Sequence, residues 1–290
     1  MCLLALSTSG EWCSVALHRH DHGVDDSECL SERLGAGQSA RVLAMVRELC
    51  DGARLDLPAI DAIAFDAGPG SFTGLRIGCA VAQGLGFALH RPLLPVDALA
   101  TLAWQRLRAT RRAEATVLVA NDARMDELYV ALYRVRMPAA RSATTAQPRH
   151  DPAAAGLVPW VEALLEPHLV ARAEFPRALA MAWPAADLGA LDPAQSAATP
   201  LLLGGDAWQV PGVLDQWMAH HRRDAAPVVP GADDAYVRAD ALAELALHGW
   251  RCGASVAAAA AAPRYVRDKV ALDRDEQHAL RVRRASGARG

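Results

Sequence analysis

"DAGPGSFTGLRIG", residues 66–78, joins an apolar run, "AIAF", to a longer one, "CAVAQGLGFALH". Apolar run, glycine-rich turn, apolar run reads as strand, turn and helix. Turns of this kind often cradle phosphates, but the spacing fails each template. A P-loop needs G-x-x-x-x-G-K-[ST]; counted from Gly68, the sixth position is Thr73 and no lysine follows. The dinucleotide pattern G-x-G-x-x-G is met by Gly68 and Gly70, then broken by Thr73. A nucleophile elbow, G-x-S-x-G, needs glycines where Pro69 and Thr73 flank Ser71. What remains is a turn. Pro69 fixes φ, Gly68 and Gly70 permit the bend, and Ser71 or Thr73 can cap the helix that follows.

That helix, about 74–90, is apolar nearly all round. Between Leu75 and His90 the clearly polar residues are Arg76, Gln83 and His90, seven apart on one stripe. Gly78, Ala82 and Gly86 recur every four residues, and so do Ala80, Gly84 and Ala88. Such a helix must be covered on nearly every side, by its own fold or by a partner. The helix "QSARVLAMVRELCD" (38–51) also has a wide apolar arc, with Arg41, Arg47, Glu48 and Asp51 opposite. Two such helices side by side could make half of a four-helix interface; an ordinary two-sided core explains the pattern equally well. The interface candidates are Arg41, Val42, Met45, Val46, Leu49, Arg76, Gly78, Val81, Ala82 and Gly86.

Working outward, "CLLALS" (2–7), "CSVALHRH" (13–20) and about 24–33 read as an antiparallel meander. Strands follow at 60–67 and 92–96, with a helix over 97–109. "ATVLVANDARMDELYVALYRVR" (115–136) reads as two strands around "NDARMD". Residues 138–156 read as a surface loop, 157–169 as a helix, 201–205 as a strand entering a glycine turn, and 235–262 as helical by propensity. The segment 263–271 reads as extended and the tail 273–290 as mobile. Two lobes are expected, 1–97 and 98–232, the second smaller and degenerate, with 233–272 packing back onto the first.

Composition bounds the function. A chain of 290 residues that is 52% hydrophobic can bury a substantial core and is not a disordered protein. A net charge of -3 with no basic block does not announce nucleic acid as a direct ligand. Six cysteines without a C-x-x-C pair read as free thiols of a reducing compartment. The start "MCLLALSTSGEW" has no basic lead, and no apolar run reaches the roughly 20 residues that span a bilayer, so a soluble cytoplasmic protein with no membrane contact is expected. His18, His20 and His22 fall at a hairpin end, where a solvated turn outweighs a metal site. Asp122, Arg124, Asp126 and Glu127 read as a local ion-pair turn, and "LGGD" (203–206) as a strand-to-loop turn.

"AGPGSFTGLRIG" closely resembles a motif of the bacterial tRNA threonylcarbamoyladenosine biosynthesis family TsaB, also called YeaZ-like. "LLALSTSGEWCSVAL" resembles that family's first hairpin, "DARMDELYVALY" its D-A-R-M segment, and "PRYVRDKVA" its C-terminal P-x-Y-[LV]-R segment. The likeness covers most of residues 1–136 and 263–271 and is weak through 138–232. The family motif maps to Gly68, Pro69, Gly70, Ser71, Phe72, Thr73 and Gly74, with Asp122 and Arg124. The resemblance implies an α/β, two-lobed, actin-like or sugar-kinase-like (ribonuclease H-like) fold. It implies a non-catalytic subunit that binds no cofactor or metal itself. Its implied partners are a TsaD-type catalytic subunit, a TsaE-type ATPase and, through the complex, tRNA; ATP and Mg are used by the complex. Pairing, with TsaD or with a second copy as a homodimer, is implied through the helices at 38–51 and 74–90. This sequence departs from the family at Ser7, where most members carry an acid, and at Gln38, where His is frequent. The loss of the acid disfavours the alternative, an independent ATP-dependent phosphotransferase of the actin-like class.

Overall fold

The computed structural model describes residues 1–21, 24–138, 160–175, 201–220 and 235–266. The first sheet holds β1 (Cys2–Ser7), β2 (Trp12–Asp21), β3 (Val24–Arg33), β4 (Ala62–Gly68) and β5 (Leu93–Asp97) in the order β3-β2-β1-β4-β5. β1, β2 and β3 form the antiparallel meander, while β4 runs parallel to both β1 and β5. Every residue of β1 and β4 is buried, which is why both read as near-continuous apolar runs rather than alternating ones, with Asp66 the one acid in β4.

Helices α1 (Gln38–Gly52) and α2 (Phe72–Leu89) lie on one face of this sheet, packing Val42, Met45, Leu49, Cys79 and Ala82 against Leu4, Leu6, Ile63 and Phe65. Helix α3 (Ala98–Thr110) leads into the second sheet: β6 (Glu114–Arg124), β7 (Glu127–Arg136), β8 (Trp160–Ala171) and β9 (Leu201–Gly204), in the order β8-β7-β6-β9. Helix α4 (Val213–His220) packs Trp217 against Trp208 and Phe175 on one side of it. Helix α5 (Ala239–Arg251) returns to the far face of the first sheet. One core runs from Leu3 and Ala5 through Leu99 and Leu102 to Val117 and Tyr129 and joins the lobes.

The two sheets share a plan. Each is an antiparallel meander with a parallel strand beside its first strand, β4 beside β1 and β9 beside β6. The first is the ribonuclease H-like unit, the second a shortened version of it, and together they make the two-lobed actin-like fold.

Two sequence expectations fail. Of the helix expected over 157–169, the described residues 160–169 belong to β8, and 157–159 lie outside the described residues. Pro167 would break a helix from within, whereas an edge strand tolerates it. Pairing with β7 decides the matter: Arg134 meets Glu162 at 3.2 Å, and the Arg136 guanidinium lies 4.6 Å from the centre of the Trp160 ring. The alanine run does not continue the helix either. α5 stops at Arg251, Gly253 takes φ +73, and Val256 exchanges two 2.8 Å backbone hydrogen bonds with Leu93 at the open edge of β5. The alanines form a close-fitting strap instead, with the Ala261 carbonyl accepting from Gln83 Nε2 at 2.9 Å. His22, most of the 138–156 loop and the tail 273–290 lie outside the described residues.

Candidate functional site: the interlobe cleft and the outer face of α2

The lobes enclose a cleft of about 1090 Å³, lined by the motif loop, the β1–β2 turn, the β6–β7 turn, Asp206 and the segment from Arg264 to Val266. The motif loop is built as its chemistry suggests. Gly68 has φ +99, and Ser71 caps α2, its Oγ accepting from Gly74 N at 3.4 Å.

The remaining glycines admit the chain's own first turn. A Cβ at Gly70 would lie 2.7 Å from Ser9 O, one at Gly74 1.9 Å from Thr8 O, and one at Gly78 2.6 Å from Thr8 Oγ1. The turn is fastened there: Ser71 N donates to Ser9 O and Thr8 Oγ1 to Gly74 O, both at 2.7 Å. Gln38 Nε2 ties α1 to the same turn by donating to Gly10 O at 2.6 Å. The motif is a seat for the β1–β2 turn, and a phosphate would have to displace that turn to enter it.

Beneath the seat lies Asp66, 2% exposed, a residue the sequence reading passed over. The signal was present, since an acid inside "AIAFDAG" has to be buried with the strand. Ser7 Oγ donates to its Oδ2 and Gly68 N to its Oδ1, each at 3.0 Å. Burial pushes its carboxyl up to about 6, against the hydrogen bonds from Ser9, Gly68 and Ser7. Since the folded value is raised, the stabilisation is full below about pH 4 and is lost as pH rises through about 6. Asp66→Asn should therefore lose less stability than the native chain between pH 4 and pH 8, by on the order of 2–3 kcal/mol. Denaturant melts across that range check it; parallel curves would refute the assignment.

Charged contacts cross the cleft. Glu11 accepts from Arg33 at 2.6 Å and from Arg124, at the tip of the second lobe's hairpin, at 3.4 Å. Arg264 reaches Asp97 at 3.4 Å and Glu166 at 3.1 Å. Asp97 also caps α3 and accepts from Tyr133 Oη at 3.1 Å. At the back of the second lobe's share, Asp122 N donates to Asp206 Oδ1 at 2.7 Å, and Asp206 N to Asn121 Oδ1 at 3.2 Å. Burial raises Asp206 to about 6, although its carboxylate stays open to the cleft. The ion-pair turn is present: Arg124 N donates to Asp122 Oδ1 at 2.9 Å, and Arg124, Met125 and Asp126 all take positive φ. His18 is buried on β2, and His20 Nε2 lies 3.1 Å from an Arg251 Nη. Among the described residues no group of three His, Cys, Asp or Glu side chains could hold a metal.

The interface candidates need correction. Val42, Met45, Val46, Leu49 and Ala82 are buried in the first lobe's own core. Gly78 is covered by Thr8, and Gly86 by Arg91 O, Leu93 and Ala258. Sequence periodicity gave α2 two small-residue stripes, and the sheet takes this one. Arg41 is held by Glu32 and Glu48 through four hydrogen bonds, and Val81 is half-buried. The outward stripe is the other one: Ala80, Gly84, Phe87 and Ala88 are exposed, Phe87 to 78%, with Leu43 of α1 at 52%. By length and composition α2 could cross a membrane, at a mean hydropathy of 1.3 over 18 residues, and only 33% of it is buried within the chain.

The family model described as TsaD, tRNA N6-adenosine threonylcarbamoyltransferase, matches residues 36–186. The tRNA threonylcarbamoyladenosine biosynthesis protein TsaB of Haemophilus influenzae is 42% identical over 127 residues, covering 44% of this chain and 51% of that protein. TsaB of Escherichia coli is 41% identical over 137 residues, covering 46% and 55%. The chain thus spans about half the length of the curated relatives it matches. A solved structure from Pseudomonas aeruginosa, described as similar to the peptidase YEAZ, is 33% identical with a TM-score of 0.66, covering 92% of this chain and 99% of that one. YeaZ from the same organism is 32% identical with a TM-score of 0.64, covering 91% and 99%.

Proposed function

The chain belongs to the TsaB (YeaZ) family, and from that premise we propose that it is a non-catalytic scaffold subunit of a bacterial tRNA-modifying complex. In this reading it pairs with a TsaD-type catalytic subunit, and a TsaE-type ATPase joins them to transfer threonylcarbamoyl to the adenosine next to the anticodon. The work is cytoplasmic, and the chain supplies no cofactor of its own. The observation that carries the reading is the outer face of α2. An aromatic side chain exposed to 78% beside a stripe of glycine and alanine is a surface that a second helix can approach closely.

The cleft supports the same reading. Its motif glycines are occupied by Thr8 and Ser9, and the carboxylate nearest Ser7 is buried under the turn rather than offered to a metal. These residues do not fit a magnesium nucleotide. The decisive assay measures ATP turnover by the purified chain, then tRNA modification after TsaD- and TsaE-type partners are added. No turnover alone, and modification only in the mixture, is expected. Robust phosphotransfer by the chain alone would overturn the reading in favour of an actin-like kinase.

A further inference from the structure

Arg76 sits near the start of α2 with its guanidinium carbon 3.7 Å from the centre of the Phe72 ring and 5.9 Å from that of Tyr265. Its Nε donates to Tyr265 Oη at 3.1 Å. Two rings from distant parts of the sequence therefore hold one exposed guanidinium, and its hydrogen bond uses Nε rather than a terminal nitrogen. Arg41, Arg33, Arg124 and Arg264 all pair with carboxylates, whereas among the described residues none pairs with Arg76. Its position sharpens the contrast. Arg76 lies in the second turn of α2, and α2 contains no acid to pair with it. The chain thus holds a pre-set fork for an anion that it does not itself supply.

The place of Arg76 on the helix says what kind of anion. At about 100° per residue, Arg76, Phe87, Ala80 and Gly84 fall within an arc of about 80°, and all four are exposed. Whatever reaches Arg76 lies along that apolar stripe as well. A phosphate backbone gains nothing from such a stripe, but a protein helix with a carboxylate beyond its apolar contact gains from both.

We propose that Arg76 is the anchor, at one end of the pairing face, for an acidic side chain on the partner's helix. This rests on the pairing reading above. The fork sets register, since a bidentate carboxylate accepts only one placement along the helix. The aromatic clamp lowers the entropy lost when the pair forms.

Calorimetric titration of the full chain with the TsaD-type subunit, at low and at high salt, tests this. Arg76→Met keeps a long apolar side chain and removes the charge; it should weaken pairing about tenfold or more at low salt and flatten the salt dependence. Arg76→Lys keeps the charge without the fork; it should weaken pairing several-fold and leave the salt dependence in place. Phe87→Glu separates the two readings. If it pairs like the native chain while Arg76→Met does not, the apolar face is wrong and the anchor survives. Pairing of Arg76→Met within about twofold of the native chain at both salts overturns the anchor. So does normal pairing with weakened tRNA retention by the assembled complex, which would make the ligand a phosphate. Should Arg76→Met melt early, the Arg76→Lys titration decides, and native affinity there is the overturning result.

Discussion

Gly74→Ala is expected to unseat the first hairpin and destabilise the chain by at least about 3 kcal/mol, the upper range for overpacking, out of a total of roughly 5–15 kcal/mol. The added methyl would lie 1.9 Å from Thr8 O and 3.0 Å from Thr8 C, backbone atoms with no rotamer to change. Moving them breaks the Thr8 Oγ1 bond to Gly74 O and the Ser71 N bond to Ser9 O. It also disturbs the cover over Asp66, whose partners Ser7 and Ser9 lie in or beside that turn. The same change ten residues on is the control. A Cβ at Gly84 meets nothing within 4 Å, so Gly84→Ala should stabilise the isolated chain by about 0.5–1 kcal/mol through helix propensity. Thermal melts of the two variants should move in opposite directions. Equal shifts would mean that the motif glycines are not a seat.

Phe87→Glu should abolish pairing with the partner, weakening it by about a hundredfold or more, while leaving the melting temperature of the chain nearly unchanged. An exposed aromatic anchor of a pairing face can carry about 2 kcal/mol or more, and the carboxylate adds an unpaired charge to an apolar contact. The stability of the chain alone is insulated because Phe87 is exposed to 78%. Size-exclusion chromatography with the TsaD-type subunit, and of the chain alone, reads the outcome; native co-elution would remove Phe87 and its apolar stripe from the interface. Variants at Val42 or Ala82 cannot serve this purpose. Both side chains are fully buried, so a charge or a tryptophan there would disrupt the core before it reported on a partner.

Much of the first lobe was legible because its signals are local. The meander, β4, α1 and α2 follow from apolar runs, periodicity and turn chemistry. The phosphate templates failed on spacing alone, which needs no coordinates. The second lobe was less legible because its β8 is chosen by its neighbour. "WVEALLEPHLVA" has residues that suit a helix, and only the β7 ladder, with its Arg134–Glu162 and Arg136–Trp160 pairs, makes it a strand. The alanine run is a similar case. Its propensity is helical, yet the open edge of β5 and the groove beside Gly86 hold it as a strap with a single 3-10 turn at Ala258–Ala260, Ala258 Cβ lying near that glycine.

The sequence by itself determined that residues 66–78 turn a strand into a helix, and that the helix needs cover on nearly every side. It could not say which side its own fold covers. Gly78, Ala82 and Gly86 have the same spacing as Ala80, Gly84 and Ala88, so periodicity treats the two stripes alike. The tertiary structure broke the tie. The β1–β2 turn and the strap around Ala258 pack on the first stripe, and the second, with Phe87 and Arg76, is left facing outward. The physical reason is range. Periodicity records only that a helix has faces, whereas the choice between them is made by atoms such as Thr8 and Ala258, brought in from elsewhere in the chain.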